Sequence, residues 1–437
     1  MALTDKLTSI ANAIREKGGT TEKLTLDAMP TAIAALSTGS GSGEDGVPNP
    51  INLTVSMGGL FANNNWDWVL QNYIDRLNIT ITSSAGTSNL FTNTTTDTPI
   101  TFNAPITYTG TDGRLQCSSM FKNSNVILGE DFVNFVSGKL YDVSSMFEGY
   151  KGETIPSLTF NNTTTYSCNS FIKDCPNLKE IGTIYNLRPS TYCSYMFGSN
   201  PLVREYKFEG CDFSAQNTGS YGYLQGLFSR NHSLRRVDST FLKGVYNKST
   251  TCQLQDTFNS CYALDEVIGL SPQTRTLTSN AFSNTFNYCY HLKNIIFDTQ
   301  ADGTPYIAEW KNQTIDLSIY VGWAGYNNAD KHILNYNSGI TADKEVIDAP
   351  TYAALKDDPD WWSKEFIYSR FNHDSAVNLI NSLPDASAYL ATQSGATNTV
   401  KFKTGAGTNT DSGSVSALTE EEVAVAAAKG WSIGYTT

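Results

Sequence analysis

The 437-residue sequence predicts an α/β solenoid, with a short helix and a short strand in each unit. An N-terminal helical hairpin and a C-terminal α/β cap flank it. Three observations lead there. A single pattern returns seven times between Gln116 and Phe297, anchored at Phe121, Phe147, Ile172, Phe197, Phe228, Phe258 and Phe286, at intervals of 26, 25, 25, 31, 30 and 28 residues. Counted from the anchor, apolar or small residues recur at −4, −1, 0, +3, +6 and +9. The first four spacings are helical, and the Leu-x-x-Ile/Val step that follows, as in Leu292 to Phe297, reads as a short strand. A fixed period of roughly 20–30 residues marks units that cannot bury their apolar faces alone and must stack into one elongated core.

The columns are consistent from unit to unit. Position −4 holds Cys117, Val143, Cys168, Cys193, Leu224, Leu254 and Phe282, and position −1 holds Met120, Met146, Phe171, Met196, Leu227, Thr257 and Thr285. Cys175, Cys261 and Cys289 occupy +3, while Leu178, Val203, Leu234, Leu264 and Leu292 occupy +6. This register, over residues 116–300, resembles the leucine-rich repeats of the BspA type, with their Met-Phe-x-x-Cys-x-x-Leu-x-x-Ile/Leu core. The resemblance implies a leucine-rich-repeat solenoid and weakens at Tyr150, which stands where Cys is expected.

Ahead of the repeats, residues 3–17 carry one apolar stripe (Leu3, Leu7, Ile10, Ala11, Ile14) behind Thr4 as N-cap, and Gly18-Gly19 ends it. A second helix follows Asp27 with Met29, Ile33 and Leu36, Pro30 being tolerated in the first turn. A hairpin of two such helices is too small to bury a core, so its stripes call for a partner. This 1–36 segment resembles the N-terminal module of many tail and baseplate proteins in phages of Gram-positive hosts. The resemblance implies docking on a particle through Leu3, Leu7, Ile10, Ile14, Met29, Ile33 and Leu36. Residues 37–50 are Gly/Ser-rich and read as a linker.

Residues 51–115 are expected to cap the solenoid, with a helix over Trp66–Leu77 and a strand over Asn78–Ile81. Ser88 to Phe91 reads as a degenerate first repeat, because Phe91 lies 30 residues before Phe121. From Gly303 to about Trp362 the register is lost, within a C-terminal subdomain spanning residues 301–437. Trp310, Trp323, Trp361 and Trp362 there are expected in the core of a capping subdomain; the competing role is ligand contact, since exposed aromatics anchor recognition. Asp374 is read as the N-cap of a helix carrying Val377, Ile380 and Leu383, and Asn398–Phe402 as a strand. Thr419 and Glu422 form a capping box, Leu418 and Val423 a hydrophobic staple, Gly430 a stop and Trp431–Tyr435 a last strand. This ending is similar to the C-terminal segment of phage and BspA-like repeat proteins.

Composition narrows the function. A net charge of −12 argues against nucleic acid or an anionic membrane as partner. No apolar run approaches the roughly 20 residues of a membrane span. The start, with Asp5 and Glu16, lacks the basic and apolar regions of a secretory leader. Six of the eight cysteines lie in repeat columns, where they read as small buried apolar residues, so Cys168, Cys175, Cys193, Cys261 and Cys289 are expected reduced and metal-free, a disulfide between the stacked Cys168 and Cys193 being the lesser alternative without a secretion signal. The four histidines show no metal-ligand spacing; His232 and His291 read as surface residues and His373 as a local hydrogen-bond partner. Asp265-Glu266 and Glu420 to Glu422 read as solvated acids. No catalytic, metal or cofactor motif is present, and an enzyme is not expected.

Together these readings predict a virion structural protein assembled in the host cytoplasm and attached to tail or baseplate proteins. The solenoid would act as a receptor-binding, host-adhesion element for a cell-surface carbohydrate or protein. A homo-oligomer is compatible with this, a trimer if the chain belongs to a fibre. The alternatives are a bacterial BspA-like surface adhesin and, behind it, a polysaccharide-degrading tail enzyme, which would need converging carboxylates.

Overall fold

A computed structural model describes residue 12 and residues 47–111, 113–160, 166–189, 193–211, 222–223, 225–239, 242, 252–261, 263–270, 277, 281–289, 292–317, 371–403 and 418–436. The side chains at 222–223, 252–253, 403 and 436 fall outside this description. So does the whole 1–36 segment, which is expected to dock, apart from Asn12.

The strands are short, and those paired with one another in ladders are all parallel. Ile51–Val55 pairs with Leu77–Ile81, and that strand with Ile106–Tyr108. Thr101–Phe102 pairs with Ile127–Leu128, Leu115–Gln116 with Leu140–Asp142, and Thr154–Ile155 with Glu180–Ile181. Leu158–Thr159, Ile184–Tyr185 and Phe208–Glu209 form a three-stranded ladder. Glu205–Tyr206, Arg236–Val237, Glu266–Leu270 and Asn294–Phe297 form a four-stranded one. Thr314–Asp316, Asn398–Lys403 and Trp431–Thr436 close the chain's C-terminal end.

Between strands, each unit makes a folded turn rather than the helix that its apolar spacing suggests. The residues at −2 and +2 from every anchor have φ between +52° and +82°, for example Ser119 and Asn123 around Phe121. Left-handed residues cannot sit inside an α-helix, and the short polar side chains of Asn, Asp and Ser tolerate that region best. The amides then alternate in direction. Met120 N–H donates back to Cys117 O at 3.2 Å, whereas Phe121 N–H donates across to Met146 O in the next unit at 2.8 Å. The cross-unit bond recurs from Phe61 to Phe258 at 2.8–3.0 Å, so neighbouring units are joined by main chain at the anchor itself.

The anchors form one column. Phe121, Phe147, Ile172, Phe197, Phe228, Phe258 and Phe286 are all buried. Phe121 and Phe147 stack at 5.3 Å with planes 5° apart, and Phe228 and Phe258 at 5.7 Å and 6°. At Ile172 the aromatic contact passes through the neighbouring Phe171, which lies 5.9 Å from Phe147 and 6.2 Å from Phe197. The column continues into residues 51–115, beyond the degenerate first repeat at Phe91. Phe61 stacks on Phe91 at 5.3 Å and Phe91 on Phe121 at 5.1 Å, so this segment carries two further rungs. The helix there is α1 (Asp67–Tyr73), followed by a 3₁₀ turn, and the strand begins at Leu77.

An unanticipated helix, α2 (Glu130–Val136), is inserted after Leu128 and buries Phe132, Phe135 and Val136. At the other end, α3 (His373–Ser382) begins at Asn372 rather than Asp374, because the Asn372 side chain accepts from Ser375 N–H in a capping box. After a short α4 (Ser387–Leu390), α5 (Glu420–Ala428) carries the Thr419/Glu422 capping box, and Gly430 follows it at φ +82°. Lys429 reaches Ile380 O (2.9 Å) and Asn381 O (2.6 Å), placing a cation at the C-terminal end of α3. The core runs on without a gap into this subdomain through Phe282, Phe297, Trp310 and Trp431.

Candidate functional site

Two surface features stand out among the described residues, and both follow from the repeat register. In strands such as Glu180-Ile181 and Glu205-Tyr206 the second residue is buried and the first is exposed. Charge therefore accumulates on the outer face while aliphatic side chains form the floor behind it. Here the surface folds into a cleft of about 970 Å³, floored by Leu128, Ile155, Ile181 and Leu202 and rimmed by charges that include Lys179 and Arg204. The cleft lies where ladders meet: Ile127–Leu128 pairs only back to Thr101–Phe102, Thr154–Ile155 pairs with Glu180–Ile181, and Glu205–Tyr206 starts the next sheet. α2 begins two residues after Leu128, directly behind the first of these breaks.

The rim is a mixture of signs. Lys179 Nζ lies 3.1 Å from Glu153, and Lys207 Nζ lies 3.4 Å from Glu205. Exposed pairs of this kind contribute little to stability, so they can exchange partners with a ligand at small cost. On the turn face, Lys122 bonds Glu148 at 2.9 Å. Burial pushes the Glu148 carboxyl up, but the Ser145 hydroxyl and Lys122 outweigh it and hold the acid below its usual range.

The second feature is aromatic. Tyr141 and Tyr166 stack at 5.9 Å with planes 25° apart, and the Arg114 guanidinium lies 4.7 Å over the Tyr141 ring. Tyr166 is 49 % exposed. Both tyrosines sit six residues before an anchor (Phe147 and Ile172), so extending the column analysis to −6 would have found the pair.

The aromatics singled out in the sequence fare differently. Trp310 is fully buried against Phe282, Phe297 and Trp431, which removes it as a ligand contact. Trp323, Trp361, Trp362 and His291 lie outside the described residues, as do Leu3, Leu7, Ile10, Ile14, Met29, Ile33 and Leu36, the residues expected to dock. His232, expected at the surface, is half-buried. Burial, with Arg230 beside it, lowers its pKa to about 3. His373 Nε2 reaches Glu422 Oε1 at 2.9 Å and ties α3 to α5. Glu266 lies within a strand, half-buried, and accepts from Asn294 Nδ2 at 2.9 Å.

The +3 cysteines do more than fill space. Cys175, Cys261 and Cys289 direct their thiols at Phe147 O, Phe228 O and Phe258 O in the preceding unit, at 3.0, 3.1 and 3.2 Å. Thr94 makes the same bond to Phe61 O with its hydroxyl. In these four units position +3 is thus a donor position, whereas the Ser124 hydroxyl accepts Val126 N–H and the buried Tyr150 hydroxyl finds no partner among the described residues. Among the described residues no three His, Cys, Asp or Glu side chains are grouped as a metal site, and no helix is long and apolar enough to cross a membrane. No family model matches the chain, and no curated protein or solved structure matches it either.

Proposed function

We propose that this chain is a virion structural protein of a phage or phage-like particle, a receptor-binding element built as a BspA-type leucine-rich solenoid. Residues 1–36 dock it on tail or baseplate proteins, and the repeat body recognises a cell-surface carbohydrate or protein. The observation that carries this reading is the stiff stack of in-register units holding an exposed face on which the Tyr141–Tyr166 stack and the charged cleft are fixed in space. Many weak contacts on a rigid repeat suit adhesion, and amphipathic tyrosines are frequent anchors of recognition.

A chain beginning at residue 37 tests the division of labour. It should melt like the full-length protein and bind host cells, yet be missing from assembled particles. Incorporation at normal copy number would overturn the docking role. On the body, Tyr166→Ala and the pair Lys179→Glu, Arg204→Glu should weaken cell binding at least tenfold while leaving the melting temperature unchanged. Unaltered binding in both would place recognition on another face.

A further inference from the structure

We propose that Cys168 and Cys193 form a latent disulfide, a staple between successive units that closes when the protein meets a disulfide donor. The two residues occupy the −4 column of adjacent units and are both fully buried. Ile172 N–H bonds Met196 O at 2.8 Å and Ser170 N–H bonds Ser194 O at 3.1 Å, a parallel register that sets Cys168 directly beside Cys193. Neighbouring parallel strands lie about 4.8 Å apart, inside the Cα separation of roughly 4.4–6.8 Å that a disulfide spans. Burial and then the neighbouring Cys193 thiol raise the Cys168 pKa, as two side chains in direct contact would.

A second stacked pair provides the contrast. Cys261 and Cys289 are aligned the same way, since Phe258 N–H bonds Thr285 O and Ser260 N–H bonds Asn287 O. Their thiols, however, both point toward the preceding unit, at Phe228 O and Phe258 O. The two sulfurs therefore stay about one strand spacing apart, and bonding them would break both thiol–carbonyl contacts. Stacking alone does not make a staple; thiols that face each other do.

The chemistry balances with a small disulfide such as oxidised glutathione. One protein thiolate attacks a donor sulfur and releases one glutathione. The second protein sulfur then displaces the other glutathione and closes the Cys168–Cys193 bond. Two protein thiols are oxidised, the donor is reduced to two thiols, and the two protons go to them. Burial holds the Cys168 thiol in its protonated form, so exchange proceeds through local opening and is slow. Once the units close again, the same burial shields the bond from reductant.

The test uses the full-length folded protein, incubated with oxidised glutathione for hours, quenched with N-ethylmaleimide and mapped without reduction. A peptide linking Cys168 to Cys193 should form ahead of any Cys261–Cys289 link, raise the melting temperature and disappear with dithiothreitol. Cys193→Ser should abolish it. The proposal is overturned if the folded protein yields no such link while unfolded protein cross-links freely, or if Cys261–Cys289 forms equally fast.

Discussion

Two regions of the stack solve one problem with different side chains. Toward the ends, position +3 is Thr94, Cys261 or Cys289, and a single hydroxyl or thiol reaches back to the preceding anchor carbonyl. In the middle it is Asn200 or Asn231, and each carboxamide does more. Asn200 Nδ2 lies 2.8, 3.0 and 2.9 Å from Ile172 O, Phe197 O and the Tyr206 hydroxyl and shares its two hydrogens among them, while its Oδ1 accepts Cys175 N–H at 3.1 Å. Asn231 repeats the arrangement one unit on, accepting Asn200 N–H at 2.9 Å. Pro176 and Pro201 follow the +3 residue in the Cys175 and Asn200 units, and the amides of Cys175 and Asn200 turn to the next unit's asparagine instead of their own anchor carbonyl. A buried amide must find a partner, so the middle units need an acceptor as well as a donor. Asn supplies two donor hydrogens and a separate acceptor oxygen, where a single hydroxyl or thiol has one hydrogen.

If that contrast is right, the largest effect belongs to the middle. Asn200→Leu strands Cys175 N–H and Ile172 O, each at roughly 2–3 kcal/mol, and should cost about 5 kcal/mol in a denaturant titration. A loss under 1 kcal/mol would mean that water substitutes for the side chain. Phe258→Ala removes a ring stacked at 5.7 Å on Phe228 and 6.0 Å on Phe286, and should cost about 3–5 kcal/mol.

The middle also carries an acid-sensitive group. His232 binds its proton near pH 3 in the folded state, against about 6.5 when unfolded. Between those values the unfolded chain holds more protons, so stability falls as pH falls from 6.5 toward 3 and the loss levels off below that. By pH 5 this amounts to at most about 2 kcal/mol, at about 1.4 kcal/mol per pH unit, and less to the extent that solvent reaches the half-buried ring. His232→Gln should flatten that limb of the stability curve, and an unchanged slope would assign it to the carboxylates.

The smallest effect lies at the C-terminal end and separates donor from filler. Cys261→Thr keeps a donor for Phe228 O, whereas Cys261→Val matches its volume without one. Thr should therefore be the more stable of the two by about 1 kcal/mol. Equal or better stability for Val would return the column to an apolar role.

The period, the anchors and the burial of the cysteines were legible in the amino-acid sequence, because column burial repeats at every unit and needs no knowledge of the partner. The capping box at Thr419 and Glu422 was legible for a related reason: both members lie within one turn. The rest depended on groups far apart in the chain. Spacing at −4, −1, 0 and +3 fits a helix and this turn equally well, and the choice fell to carbonyls about 25–30 residues away that receive the anchor amides. Likewise Cys, Thr and Asn at +3 look unrelated until the preceding carbonyl shows them as one class of donor, and the choice for Trp310 between core and ligand contact is made by Trp431 packing against it. Local sequence determined what had to be buried; the tertiary structure decided which polar group satisfied which, since a buried hydrogen bond requires both partners and the sequence displays them one at a time.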